Sequence, residues 1–421
     1  MKIVFVLHLL FDTGLEYFRA LAKTVDIELV IHIHGEITNQ SIITSPTNDI
    51  SVGFHRDSQS KLVERLTSVV PEIKKCNVLK YNSNSFKDRI NFTVSYNFCK
   101  WIRREKFTHV FYYGSSAVWL QQLPFLVGLS RVFFVHDYLP HSGRGENIDY
   151  KTIINKDNLV KVQIGQGKKT KKYPPYKLYM GVITLIPSHY FVLFSNNMSK
   201  KFSTYYRVPE HRVIVSKFGY LTLFRDSSIK LLPKERSTIL FFGRISEYKG
   251  IEYLIQAALL LKDKIYDLKV IIAGTGLFQY DKSEVKNNQI FELLEYHIPN
   301  SKLIELFSRA SIVICPYIDA TQSGVVVTSY AFGKPVIGTR LGAFEEYIKD
   351  GETGLLVDPA NAGALANAIE YCLTHPDVIQ SYENKIKEYE HTLSNWETQA
   401  ELIVGRLRSK NFTNYSWQNL E

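Results

Sequence analysis

The chain has 421 residues, 45% of them hydrophobic and 22% charged, which suits two folded domains with sizeable cores and excludes wholesale disorder. Lys and Arg number 51 against 41 Asp and Glu, a formal +10 that favours anionic partners such as phosphates, nucleic acid or an acidic membrane face. Four cysteines, Cys76, Cys99, Cys315 and Cys372, stand far apart with no C-x-x-C pair. That excludes a disulfide scaffold and a zinc ribbon, and fits a reducing, cytoplasmic compartment.

MKIVFVLHLL at the start is followed by the amphipathic FDTGLEYFRALAK with no small-residue cleavage site, so a buried strand entering a helix is expected rather than a signal peptide. Short apolar runs then alternate with helical patterns, the signature of βαβ units with parallel sheets. Strands are expected at Lys2–Leu7, Glu28–Ile33, His109–Tyr113, Val132–Val135 and Phe191–Phe194, with helices at Leu15–Lys23 and Phe98–Lys106. Residues 35–60 have no clear period and read as a loop region. The stretch Lys161–Lys177, with Lys168, Lys169, Lys171 and Lys172 before Pro174 and Pro175, reads as an exposed basic insertion. The apolar run Leu178–Phe194 is cut by Pro187, Ser188 and His189, short of the ~20 clean residues a membrane span needs.

The pattern weakens over Lys217–Ser237, which is taken as the linker. A second series follows: strand Thr238–Phe242, helix Ile251–Leu261, strand Leu268–Ala273, helix Ser301–Ser308, strand Ile312–Cys315, helix Val326–Phe332 and strand Pro335–Gly338, then a helical tail from Pro376 to Leu407. The fold class is therefore α/β, with two doubly wound, Rossmann-like domains. Ligands of such sheets sit at the carboxyl ends of the strands.

FFGRISEYKG, Phe241–Gly250, places Gly243, Arg244 and Lys249 between a strand end and a helix start. A planar guanidinium and a mobile ammonium beside helix N–H groups suit a diphosphate. Two solvated surface cations are the alternative. DATQSGVVVTSYAFGKPVIGT, Asp319–Thr339, offers Thr321, Gln322 and Ser323 as caps and Gly324 where a phosphate would approach backbone N–H groups; an ordinary capped helix is the alternative. Gly274 and Gly276 form a G-x-G fragment after a strand, read as a tight turn at the site's edge because the third glycine of a dinucleotide motif is missing. His136 ends a strand, as a site residue or as a hydrogen-bonded core histidine, with His8 and His141 weaker candidates. No Asp-x-Asp-like carboxylate pair stands out, so no metal and no cofactor is expected, and fixed cations with helix amides would carry the leaving-group charge.

Arg244 with Lys249, the QSG helix start, AFGKPVIGT and LGAFEEYIKDGETGLLVDP together resemble the family-4 retaining glycosyltransferases of GT-B fold, over roughly Thr238–Leu373. VHDYLPHSG (Val135–Gly143), Phe194–Gly219 and Asn395-Trp396 extend the likeness more faintly. The resemblance implies an enzyme with an N-terminal acceptor domain of residues 1–217, completed by a crossover helix at 395–421, and a donor domain of residues 218–394. It implies that Arg244 and Lys249 hold the donor diphosphate, helped by backbone at Ser323 and Gly324. Gly14, in the first strand-to-helix loop, would approach the phosphates, and His136 would sit beside the transferred sugar. Gly243, Gly274, Gln322, Thr328 and Glu346 complete the expected donor site, although Glu346 also reads as a surface helix-start residue. Two glutamates that the family usually carries are replaced here by Ala320 and Thr328.

The implied function is metal-independent, retaining sugar transfer from a nucleotide-diphospho-sugar to a glycan or lipid-linked acceptor in bacterial surface-polysaccharide assembly. The basic insertion with Tyr173, Tyr176 and Tyr179 suits a peripheral contact at an anionic membrane's inner face; a solvated basic surface is the alternative. Nucleic acid is not expected, since no binding module accompanies the charge. A sugar-nucleotide epimerase and a non-catalytic protein with a decayed donor site stay open as alternatives.

Overall fold

The computed structural model describes residues 1–8, 11–34, 49–81, 91–114, 122, 125–126, 128–136, 148–155, 158–166, 174–225, 233–276, 282–320, 322–392 and 395–409. The chain divides into two compact units. One comprises Met1–Tyr138, Pro174–Gly219 and Asn395–Glu421, the other Leu139–Tyr173 and Tyr220–Ser394. The division falls after Gly219, where the sequence reading drew it after residue 217. It also moves Leu139–Tyr173, which that reading kept with the first half, into the second unit.

The first unit is built on strands β1 (Lys2–Leu7), β2 (Asp26–His34), β3 (Gly53–His55), β4 (Cys76–Tyr81), β5 (His109–Tyr113) and β6 (Ser130–Phe134). Strands β7 (Ile148–Asn155) and β8 (Asn158–Gln166) pair only with each other among the described strands, as an antiparallel hairpin within the second unit. Strands β9 (His189–Leu193) and β10 (Val213–Val215) complete the first sheet, whose order is β10-β9-β6-β5-β1-β2-β4-β3. All its pairings are parallel except β3 with β4. The central strands are apolar on both faces, as a sheet covered by helices on both sides requires. One face packs Val4, Val6, Val110, Tyr112, Phe191 and Leu193 under the helices Phe92–Arg104, Pro174–Leu185 and Asn196–Tyr206. On the other, Phe5, Tyr113 and Phe134 meet Tyr17 and Phe18 of the helix Phe11–Ala22.

The second unit has strands β11 (Thr238–Phe242), β12 (Lys269–Ala273), β13 (Phe291–Leu294), β14 (Ile312–Cys315), β15 (Val336–Thr339) and β16 (Gly354–Val357), all parallel, in the order β13-β12-β11-β14-β15-β16. Counted within the unit this is 3-2-1-4-5-6, the dinucleotide-binding order, and its reversal point lies between β11 and β14.

The tail expected from Pro376 to Leu407 forms two helices, Pro376–Thr392 in the second unit and Trp396–Arg408 in the first. Asn395 opens the latter by accepting from the N–H groups of Glu397 (2.7 Å) and Thr398 (3.4 Å). Its Trp396 ring meets Tyr17 edge-on at 4.7 Å, so the C-terminal helix returns to cover the first sheet.

Candidate functional site

The loops after β11 and β14 flank the reversal point of the second sheet, where strands diverge and leave room for a ligand. The chain does not turn at once after β11. Gly243 N–H donates to Ala273 O (3.0 Å) and Ile245 N–H to Thr275 O (2.8 Å), so the parallel ladder continues two residues beyond the strand. Alternation along that extension buries Ile245 and exposes Arg244. Gly274 and Gly276 are thus not a tight turn, as their spacing suggested. They are extended residues with φ of 151° and 149°, and a Cβ on either would overlap the carbonyl oxygen of Gly243 or Ile245.

A 3-10 turn, Glu247–Lys249, then leads through Gly250 (φ 63°) into the helix Ile251–Leu261. A Cβ at Gly250 would overlap Pro316 O, and Ile318 N–H donates to Tyr248 O (2.9 Å), so the two loops are stitched together. Lys249 is buried by this contact, its Nζ 3.6 Å from the centre of the Tyr317 ring and 5.1 Å from that of Tyr248.

Tyr317, which no sequence motif singles out, joins the parts. Its hydroxyl is 3.2 Å from Ser323 Oγ, its carbonyl accepts from Thr339 Oγ1 (2.8 Å), and its ring packs on Phe344 at 5.0 Å. Ser323 in turn caps the helix Gly324–Ala331, accepting from Val325 N–H (3.3 Å). The signal that could have found Tyr317 is its place two residues past a buried strand at the reversal point, an aromatic where a loop is expected to be polar. Burial raises the Tyr317 phenol well above its ordinary range and pushes the Cys315 thiol up to about 12. Both stay neutral at physiological pH and place no negative charge beside the Lys249 ammonium.

The expected donor residues are distributed unevenly. Gly243 approaches the helix start, a Cβ there lying 3.4 Å from Val325 Cγ2. A Cβ on Gly324 would meet nothing within 4 Å, so packing does not demand that glycine. Gln322 is half-buried beside the cap, and Thr321 lies outside the described residues. Thr328 is buried and donates its hydroxyl hydrogen to Gly324 O (2.8 Å), one turn back in its own helix. Glu346 belongs to the single turn Phe344–Tyr347, whose Phe344 reaches Tyr317.

The two remaining candidates are in the first unit. Gly14 is not in a loop: it is the fourth residue of the helix Phe11–Ala22, and a Cβ there would overlap Leu7 Cδ1 and crowd Tyr113. Close helix-to-sheet packing therefore accounts for the glycine. His136, two residues past β6, is buried among aromatic rings at the carboxyl edge of the sheet: Phe194 at 4.6 Å, Tyr113 at 4.8 Å and Phe218 at 6.0 Å. His8 packs on His32 (4.7 Å) with Nδ1 3.2 Å from His32 O, while Asp137, His141 and residues 167–173 lie outside the described residues.

Residues 236–375, which contain all of this second-unit geometry, match the family model described as Glycosyl transferases group 1. Over that stretch, about a third of its length, the chain is similar to the group 1 glycosyl transferases. Two D-inositol 3-phosphate glycosyltransferases are similar to it. One, from Arthrobacter sp. (strain FB24), is 33% identical over 152 residues, 34% of this chain and 36% of that protein. The other, from Corynebacterium glutamicum (strain R), is 29% identical over 181 residues, 41% of this chain and 43% of that protein. The matched stretch thus spans less than half the length of these curated relatives. Among solved structures, a glycosyltransferase from Rickettsia africae ESF-5 superposes with a TM-score of 0.62 at 18% identity, covering 99% of each chain. Sucrose-phosphate synthase from Thermosynechococcus elongatus gives 0.64 at 15%, over 98% of this chain and 100% of that one. HepE from Anabaena, solved with UDP-glucose, gives 0.60 at 14%, over 97% and 99%. These likenesses extend the GT-B fold beyond residues 236–375 to nearly the whole chain.

Proposed function

We propose that the protein transfers a sugar from a nucleotide-diphospho-sugar to a glycan or lipid-linked acceptor, with retention of configuration and without a metal, in surface-polysaccharide assembly at the inner face of the membrane. The observation that carries this reading is the convergence, at one reversal point, of Lys249 held on Tyr317 and the Ser323-capped start of the helix Gly324–Ala331, with Arg244 exposed on the ladder extension after β11. Cleaving the bond between the sugar and the diphosphate leaves negative charge on the departing oxygen. A guanidinium, an ammonium and helix N–H groups fixed in advance meet that charge without reorganising.

In this reading Lys249 is the buried point charge, Arg244 the outer bidentate clamp, and the open side of Gly324 the approach to backbone N–H groups. Gly243 and Gly274 keep the strand ends close enough to hold the clamp in place. Gln322 and Glu346 are proposed to reach the nucleoside or sugar. Roles for His136 beside the sugar and Gly14 beside the phosphates rest on the family resemblance alone. The test is incubation of the purified protein with a panel of nucleotide sugars, with and without EDTA, reading nucleoside diphosphate release. Release that EDTA leaves unchanged is expected for at least one donor. Silence across the panel, with no thermal shift from UDP or GDP, would overturn the reading.

A further inference from the structure

The two helical layers of the first unit differ in charge. Helices Phe92–Arg104, Pro174–Leu185 and Asn196–Tyr206 cover one face of its sheet and share a single buried cluster, through Phe98 and Trp101, Tyr179 and Met180, and Met198 and Phe202. Their sequences contain Lys100, Arg103, Arg104, Lys177, Lys200 and Lys201 and not one Asp or Glu. The helices Phe11–Ala22 and Trp396–Arg408, joined on the other face through Tyr17 and Trp396, mix Asp12, Glu16, Glu397 and Glu401 with Arg19, Arg406 and Arg408. A solvated helix face ordinarily carries both signs; an all-cationic layer repels itself unless something anionic covers it.

The same layer exposes apolar side chains. Phe92 (56%), Tyr96, Val182, Leu185 (81%) and Tyr205 belong to these three helices. Of the large exposed hydrophobics described in this unit, only Val52 and Leu402 lie elsewhere. On the first helix Phe92, Tyr96 and Lys100 recur every four residues and so share one outward stripe, with Tyr96 packed edge-on against Phe125 (5.6 Å) and Lys100 Nζ 5.9 Å from the Tyr96 ring. The nearest carboxylate along the chain, Glu105, is paired with Arg104 (3.1 Å) and Arg56 (3.2 Å) and adds no net negative charge to the layer.

We infer that this helical layer is a docking face for an anionic lipid bilayer. Aromatic tips at headgroup depth, aliphatic side chains beneath them and lysines alongside are the chemistry of an interfacial helix. A nucleic acid would use the cations but leave Leu185 and Val182 exposed to water, which is why lipid is the favoured polyanion. The inference deepens the membrane-side reading proposed above. It locates the contact on three packed helices of the first unit, where the sequence had pointed to the lysine-rich run before Pro174.

The test is co-flotation of the full-length protein with phosphatidylcholine vesicles, with and without phosphatidylglycerol, with single-stranded RNA as a second polyanion. Neither donor nor acceptor is present, so failure here leaves the transfer reaction untouched. Binding is expected only with phosphatidylglycerol and should fall as salt rises. Exchanging three cations, Lys100→Gln, Lys200→Gln and Lys201→Gln, should weaken it about 100-fold. A Phe92→Ser, Tyr96→Ser, Leu185→Ser variant should lose it with the unfolding midpoint unchanged; Leu185→Ser alone is the fallback and should weaken it measurably. No binding to phosphatidylglycerol vesicles, binding that both variants retain, or RNA binding without vesicle binding would each overturn the inference.

Discussion

Arg244 is exposed and sits on a two-residue extension of a ladder that its backbone neighbours hold, so shortening it removes charge and little packing. Arg244→Ala should lower turnover of the preferred nucleotide sugar by about 10²–10³ with an unchanged melting curve, as steady-state rates and calorimetry would show. Activity within a few-fold of wild type would refute the role. Gly274 is the opposite case. A methyl group there meets the Gly243 carbonyl, which is backbone and cannot rotate away, and φ is 151°. Gly274→Ala should cost about 3 kcal/mol or more in urea unfolding, because overpacking and backbone strain add. Both residues were legible as site candidates from the sequence, but for different reasons than the structure gives. Arg244 was chosen for its charge after a strand. Gly274 stands out in the sequence as a tight-turn glycine at the site's edge, and in the structure it sets the spacing between two strand ends.

At the scale of single elements, the helix Gly324–Ala331 depends on its cap. Ser323→Ala removes the acceptor for Val325 N–H and the partner of the Tyr317 hydroxyl. It should destabilise the protein by about 1 kcal/mol in chemical denaturation. In the first unit, strand β9 begins with His189, fully buried between two arginines. Nε2 accepts from Arg131 Nη1 (2.6 Å), and Arg212 Nε donates to the His189 carbonyl (2.8 Å). Arg212 also donates to Thr184 O (2.9 Å) and Ile186 O (2.6 Å), satisfying carbonyls at the end of the helix Pro174–Leu185. Burial, and then the Arg131 charge, hold the His189 pKa down to about 3. The unfolded chain takes up this proton near pH 6.5 and the folded one does not. Stability is therefore undiminished above pH 6.5 and falls as the pH drops from there toward 3. The loss should reach about 2 kcal/mol at pH 5 from this group alone. Urea midpoints across that range, compared with His189→Gln, would measure it; equal slopes in the two proteins would count against the assignment.

At the scale of the whole molecule, the last helix belongs to the unit that contains the first strand. Trp396 is buried against Tyr17, and Lys23 Nζ pairs with Glu397 at 2.5 Å, so the unit closes only when its chain end has returned. Trp396→Ala should destabilise that unit by about 3–5 kcal/mol. Hydrogen exchange should speed up in β1, β5 and the helix Phe11–Ala22 while β11, β12 and β14 keep their protection. Uniform loss of protection in both sheets would show instead that the two units unfold as one.

The alternation of apolar runs and amphipathic stretches determined by itself the α/β class and most strands near the middle of each sheet. Lys2–Leu7, His109–Tyr113, Thr238–Phe242 and Ile312–Cys315 were expected with the bounds they have, because strands buried on both faces must be apolar throughout. Edge strands β3, β10, β13 and β16 escaped notice: with a neighbour on one side only, they are short, three or four residues, and leave no lasting pattern. The loop motifs likewise singled out Arg244, Lys249 and Ser323, whose loops flank the reversal point of the second sheet. What only the tertiary structure decided is which atoms meet. Lys249 lies on Tyr317, the glycines at 274 and 250 face backbone carbonyls, Gly14 lies inside a helix, and the acid-free helices share one face of one sheet. Such facts arise from segments far apart in the chain being pressed together, and local periodicity carries no record of who the distant neighbour is.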